Sequence, residues 1–202
     1  MSKFKEDLIE TFTSGDWRVS IAYDSDCTSP REDMSLSFML TWRSGYLSPD
    51  GQATSWYDLQ EFEDWYDEQE EDERWVRLPL IPRYYDGGYG IASEQDVVEG
   101  RHVGWIFTTA ETVEEVGAPV ESLERQLRAE VDEYNLWADV KCYGYVIEHR
   151  EGACSCGECY FWAGVDSCWG FIGKIWDINY PDDFPDSLKD ELRKSGYLGE
   201  GV

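Results

Sequence analysis

The sequence predicts an α+β protein: a largely antiparallel sheet with two main helices in a single compact domain. Three observations lead there. Short runs that alternate large apolar with small or polar residues recur between turn signals, as half-buried strands do. Two longer stretches, 55–73 and 120–138, instead repeat their apolar residues every three or four positions, as a helix with one buried side does. Hairpins interspersed with two such helices argue for helices packed on one face of an antiparallel sheet. At 202 residues the chain can form one domain with a real core and has room for a long insertion.

The elements follow in order. Residues 3–13 form a short amphipathic segment that ends at Ser14-Gly15-Asp16. Residues 17–23 read as a strand, and the polar stretch 24–33 as a loop. A second strand covers 35–42, with a turn at Arg43-Ser44-Gly45. From Thr54 the period changes: Trp56, Leu59, Phe62, Trp65 and Tyr66 line one side of a helix whose other faces are acidic. Residues 74–82 are extended, and Pro79 and Pro82 place that segment at a sheet edge. Asp86-Gly87-Gly88 signals a hairpin turn. A strand over 102–109 precedes a helical turn near 112–116 that breaks at Gly117 and Pro119. The helix over 120–138 carries Leu123, Leu127, Val131, Tyr134 and Trp137 on one side, with Glu130, Asp132 and Glu133 outside that stripe. Strands at 141–148 and 165–172 flank a Cys-rich hairpin insert over 149–164, and a short helix near 186–194 ends the pattern.

Tyr23-Asp24-Ser25-Asp26, Ser29-Pro30-Arg31-Glu32 and Asp166-Ser167-Cys168-Trp169-Gly170-Phe171-Ile172-Gly173, with the helix and strand between them, carry a likeness. Together they resemble a family of uncharacterised proteins found widely in tailed phages and mobile elements, over roughly residues 17–176. The resemblance implies no particular activity, but it does imply a setting, since small accessory phage proteins often act on host defence systems. The acidic helix and the Cys-rich insert depart from the plainer family pattern, so a special function is expected there.

Charge says most about function. The chain carries 43 Asp plus Glu against 17 Lys plus Arg, a net charge of −26, yet 42% of its residues are hydrophobic and 15% aromatic. A disordered acidic tail lacks those rings, so this chain folds and still presents a negative surface. Such a field repels nucleic acid and anionic membranes and attracts proteins that bind nucleic acid. The expected partner is therefore a host nucleic-acid-binding protein, a CRISPR effector, a restriction enzyme or another defence nuclease, inhibited by mimicry of its nucleic acid. The alternative reading of the charge is solubility or adaptation to high salt. The N-terminus has no apolar h-region, and no stretch approaches the ~20 apolar residues that span a bilayer. The expected location is the cytoplasm, that of the host if the protein is phage-encoded, where structural disulfides are rare.

The expected binding residues are Asp58, Glu61, Glu63, Asp64, Asp67, Glu68, Glu70, Glu71, Asp72 and Glu73, with Trp65 and Tyr66 as apolar anchors. Carboxylates on successive turns of a helix repeat about every 5.4 Å, so they can meet a row of cations that otherwise holds phosphates. The plain alternative is a solvated helix face. Cys154, Cys156 and Cys159 with His149 form a Cys3His set that could hold a structural zinc, and a zinc-stabilised adaptor is the second functional reading. Reduced surface thiols or an oxidised pair are the alternatives there, and Cys168 is expected in the core beside Trp169. Arg31 is expected to pair with a carboxylate of its own loop, among Asp24, Asp26, Glu32 and Asp33, and His102 to be structural. No nucleophile elbow, phosphate-binding glycine loop or helical zinc motif occurs, so no catalytic activity is expected, and an enzyme of unknown type is the third and weakest reading.

Overall fold

The computed structural model describes residues 7–32, 36–42, 48–50, 58–68, 76–83, 88–152 and 159–199. In chain order the elements are β1 (Leu8–Ser14), β2 (Trp17–Tyr23), β3 (Phe38–Thr41), α1 (Leu59–Asp67), β4 (Arg77–Pro82), β5 (Tyr89–Ile91), α2 (Glu94–Val98), β6 (Gly104–Phe107), α3 (Ala110–Val116), α4 (Leu123–Ala138), β7 (Cys142–Gly152), β8 (Tyr160–Ile172) and α5 (Asp186–Lys194). The fold class is α+β. Two compact units form: Met1–Thr28 with Val140–Val202, and Ser29–Asp139. The second is thus inserted between the two segments of the first. Each holds one four-stranded antiparallel sheet.

The sheet of the first unit runs β1-β2-β7-β8. The amphipathic stretch at the start of the chain is a strand, joined to β2 through Gly15, whose φ of +60° suits the tight turn. Register sets Val19 opposite Ile147 and Ile21 opposite Tyr145, so their side chains share one face. Leu188 and Leu192, one turn apart on α5, close over that face with Ile175, Ile178, Phe184 and Leu198. Each such fully buried aliphatic side chain contributes about 1.5–3 kcal/mol. The β7–β8 hairpin is longer than periodicity suggests, reaching Gly152 and returning from Tyr160, which leaves 153–158 outside the described residues. Trp169 lies against Gly144, where an added Cβ would fall 2.0 Å from Trp169 Cε3. Cys168, expected in the core, is exposed instead. It sits on β8, an edge strand, and among the described residues the buried cysteine is Cys142 at the start of β7.

In the second unit the order is β3-β6-β4-β5. Side chains alternate across this sheet. Met39, Leu78, Leu80 and Ile106 point to one face, where α4 packs through Leu127, Val131 and Tyr134. Leu40, Trp105 and Phe107 point to the other, where α1 packs through Phe62. Helices therefore cover both faces here, not one. Strand β4 is internal as well, despite its prolines. Leu80 turns its carbonyl toward β6, accepting from Val103 N, and Pro79 turns its carbonyl the other way, accepting from Ala92 N just past the end of β5. The missing N–H of Pro79 thus falls where β5 has ended, and that of Pro82 beyond the β6 ladder, which stops at Leu80. Within the paired residues of β4 with β5 and β6 no ladder bond is lost, which is the condition for proline inside a sheet.

Two polar links tie the helices to this sheet. Asn135, buried on α4, accepts from Tyr89 N at 2.7 Å and donates to Tyr89 O at 2.8 Å, so it finishes β5 as a neighbouring strand would. Arg31, expected to pair within its own loop, reaches out of it. Its guanidinium grips Asp50 with two bonds of 2.6 Å, Glu130 of α4 at 2.6 Å and the Ser37 carbonyl at 2.8 Å. Ser37 Oγ also donates to Glu130, and Asp50 accepts from Met39 N. Glu130 is therefore drawn off the solvated side of its helix. The loop keeps its turn through Asp24, whose Oδ1 accepts from Asp26 N at 3.0 Å.

Candidate partner-binding surface

Helix α1 is built from both of its faces. Asp58 caps it, accepting from Glu61 N at 2.9 Å, and its charge meets the positive end of the helix. Phe62 is fully buried between Trp42 and Phe107, with ring centroids 5.1 and 4.7 Å away. Trp65 and Tyr66 flank it, half-buried in the same cluster. These two aromatics hold the helix down and do not stand out as anchors. Arg77 lies over the Tyr66 ring, 4.1 Å from its centroid, and donates to Asp67 at 2.9 Å. Burial first, then the Asp67 charge, raises the Tyr66 phenol above its ordinary range, against the pull of Arg77.

The carboxylates divide by side. Glu63 turns inward, bonded to His102 Nε2 at 2.9 Å and accepting from Trp105 Nε1 at 3.2 Å. It supports the fold, as does His102, whose side chain is only 8% exposed. Asp58, Glu61, Asp64 and Glu68 are exposed and fall within about a third of the helix circumference over roughly 15 Å of its length. That stripe is the part of the expected surface that faces solvent. Asp67 is exposed on the neighbouring flank but tied to Arg77. Glu70, Glu71, Asp72 and Glu73 lie outside the described residues.

The stripe belongs to an unusually negative unit. Residues 29–139 hold 26 Asp and Glu against 8 Arg and no Lys, a net charge of −18 of the chain's −26. Its described arginines are largely engaged at home: Arg31 on Asp50 and Glu130, Arg77 on Asp67, Arg83 on Asp139, Arg101 on Asp96 and Glu99, and Arg128 on Glu124. Arg125 stands exposed on α4. Apart from the buried Arg31 grouping, these are exposed pairs, which stabilise little, about 0–1 kcal/mol. Their effect is to hold the few cations close in and leave the remaining acids, among them Glu111, Glu114 and Glu115 on α3 and Asp132 and Glu133 on α4, facing solvent.

The expected zinc set is not drawn together as a whole. His149 pairs with Ala163 across the hairpin, and Cys159 lies four positions nearer the tip, about 13 Å at the usual strand rise. The His149 ring also packs on Trp17, with centroids 4.7 Å apart. The register thus sets His149 and Cys159 apart along the hairpin. Cys154 and Cys156 lie outside the described residues. Among the described residues no group of three or more His, Cys, Asp or Glu could hold a metal ion.

No described helix is long and apolar enough to cross a membrane. Comparison with protein-family models, curated proteins and solved structures finds no match. The Arg31–Asp50–Glu130 grouping escaped the reading of the sequence because its members are 19 and 99 residues apart. The one available signal is an arginine flanked by Pro30 and Glu32 in an otherwise acidic loop.

Proposed function

We propose that this protein inhibits a nucleic-acid-binding protein of host defence, of the CRISPR-effector, restriction-enzyme or defence-nuclease class, by presenting carboxylates where that partner holds phosphates. It acts by occupying the site, without turnover. The observation that supports this reading is the charge of residues 29–139, −18 with no lysine, together with the exposed stripe Asp58, Glu61, Asp64 and Glu68. A solubility device needs charge of one sign scattered anywhere. A mimic needs it ordered on a rigid element, and α1 is pinned by Phe62, Glu63 and Arg77. Electrostatic attraction of this kind speeds association and weakens steeply with salt.

The test is capture of host proteins on the purified chain at low and high salt, with duplex DNA as competitor, followed by binding kinetics on the protein retained. The variant Glu61→Lys, Asp64→Lys, Glu68→Lys spares the Asp58 cap. It should bind about 100-fold more weakly or worse, mainly through a slower on-rate, while keeping the wild-type circular dichroism. A folded variant of undiminished affinity, or a partner that neither salt nor DNA displaces, removes the mimicry reading.

A further inference from the structure

Cys27 and Cys142 are far apart in sequence and meet within the first unit. Cys142 opens β7 and is buried, whereas Cys27 lies in the loop after β2 and is partly exposed. Backbone bonds set their approach. Asp24 N donates to the Cys142 carbonyl at 2.9 Å, and Cys27 N reaches back to the Asp24 carbonyl at 3.5 Å. The Asp24–Asp26 turn bends the chain between them. The loop therefore curls over the start of β7 and carries Cys27 beside Cys142, whose thiol feels it as a neighbour, while the Cys27 thiol itself donates to the Thr28 carbonyl at 3.6 Å. The two residues also flank the places where the chain passes between units, after Thr28 and before Val140. The other described cysteines, Cys159 and Cys168, are exposed beside and on β8.

We propose that Cys27 and Cys142 are a reversible dithiol–disulfide pair, a modification site for low-molecular-weight disulfides of the glutathione class. When oxidised, the pair joins the chain segments that lead into and out of residues 29–139. The inference is independent of the acidic-surface reading. The Cys27 thiolate attacks one sulfur of R–S–S–R. That bond breaks, one RS⁻ leaves and takes up the proton Cys27 has lost, and a Cys27–S–S–R mixed disulfide forms. Cys142 then gives up its proton, its sulfur attacks the Cys27 sulfur, and the second RS⁻ leaves as RSH. Two electrons pass from the protein thiols to R–S–S–R, which ends as two RSH, and excess RSH reverses both steps.

The geometry assigns the order. Burial, then the neighbouring Cys27 and Asp24, pushes the Cys142 thiol up to about 12, so it stays protonated and resolves the intermediate rather than starting the reaction. Cys27 is the accessible sulfur and sits in irregular chain, while Cys142 is held in register opposite Ile172. The movement that closes a thiol contact to an S–S bond of about 2.05 Å falls to the loop.

The full chain carrying Cys154→Ser, Cys156→Ser, Cys159→Ser and Cys168→Ser leaves only the proposed pair. It is equilibrated in glutathione buffers stepped from reduced to oxidised, alkylated, weighed intact and mapped by peptide. Oxidised glutathione should produce a mass loss of about 2 Da, no alkylation, and a cross-linked peptide joining Cys27 to Cys142, all reversed by reduced glutathione. The melting temperature of the oxidised form should rise by about 5 °C or more, because the bond closes a long loop. A lasting glutathione adduct on Cys27, or two alkylated thiols in the most oxidising buffer, overturns the proposal. If the serine variant does not fold, the unmodified chain is mapped for the same peptide pair, and its absence is equally decisive.

Discussion

Replacing Arg31 with Met removes the one cation that two half-hidden carboxylates share. The Arg31 side chain is 1% exposed, Asp50 13% and Glu130 12%. Burial works against the charged guanidinium, yet the bonds and charges of Asp50 and Glu130 outweigh it and hold its pKa above the ordinary value. Arg31→Met therefore strands two negative charges side by side. Breaking a buried pair in this way costs about 3–5 kcal/mol, and at about 2–4 °C per kcal/mol the melting temperature should fall by about 10 °C. The loss should appear in the transition of residues 29–139. The informative control is the triple variant Arg31→Met, Asp50→Asn, Glu130→Gln. It removes all three charges, and the amide oxygen it places at position 50 can still accept from Met39 N, so it should return to within about 2 kcal/mol of wild type. Urea unfolding followed by tryptophan fluorescence and by circular dichroism measures both. An Arg31→Met loss below about 1 kcal/mol, or a triple variant no better than the single one, would refute the reasoning.

Alkaline pH should act through the tyrosines. Burial first, then Asp166, raises the Tyr145 phenol, and burial leads the same upward shift at Tyr66, Tyr134, Tyr143, Tyr180 and Tyr197. The folded protein thus holds these protons more tightly than the unfolded chain. The associated stability is complete below the ordinary value of 10.0 and is lost as pH rises through the folded values. A smaller loss above that pH in Tyr145→Phe, read by denaturant melts, is the expected outcome. Gly144→Ala should drive Trp169 off the sheet, costing about 1–3 kcal/mol and red-shifting tryptophan emission; an unchanged spectrum and stability would contradict that contact. Added NaCl should raise the melting temperature as the Debye length shrinks from about 30 Å at 0.01 M to about 8 Å at 0.15 M, because a chain of net charge −26 repels itself. A flat response would mean that the acids are already compensated.

Much of the local structure is legible in the sequence because it depends on neighbours along the chain. The stripe of α4, the 3–4 spacing that buries Phe62, and the span of the last helix follow from periodicity alone. So does the acidity of α1, since no fold can remove 43 acidic residues from a surface of this size. Tertiary structure decided which of those acids turn inward. Glu63 and Glu130 read as surface residues, yet one supports His102 and Trp105 and the other Arg31, because a side chain on the margin of a helix is claimed by whatever packs beside it. Proline at 79 and 82 argues for an edge strand, and only the pairing shows that their missing donors fall beyond the ends of both ladders. Register likewise parted His149 from Cys159, while a turn and one backbone bond brought Cys27 to Cys142. Spacing along the chain fixes a face and a period, but meetings between distant residues depend on strand register and loop course, which are settled when the sheets assemble.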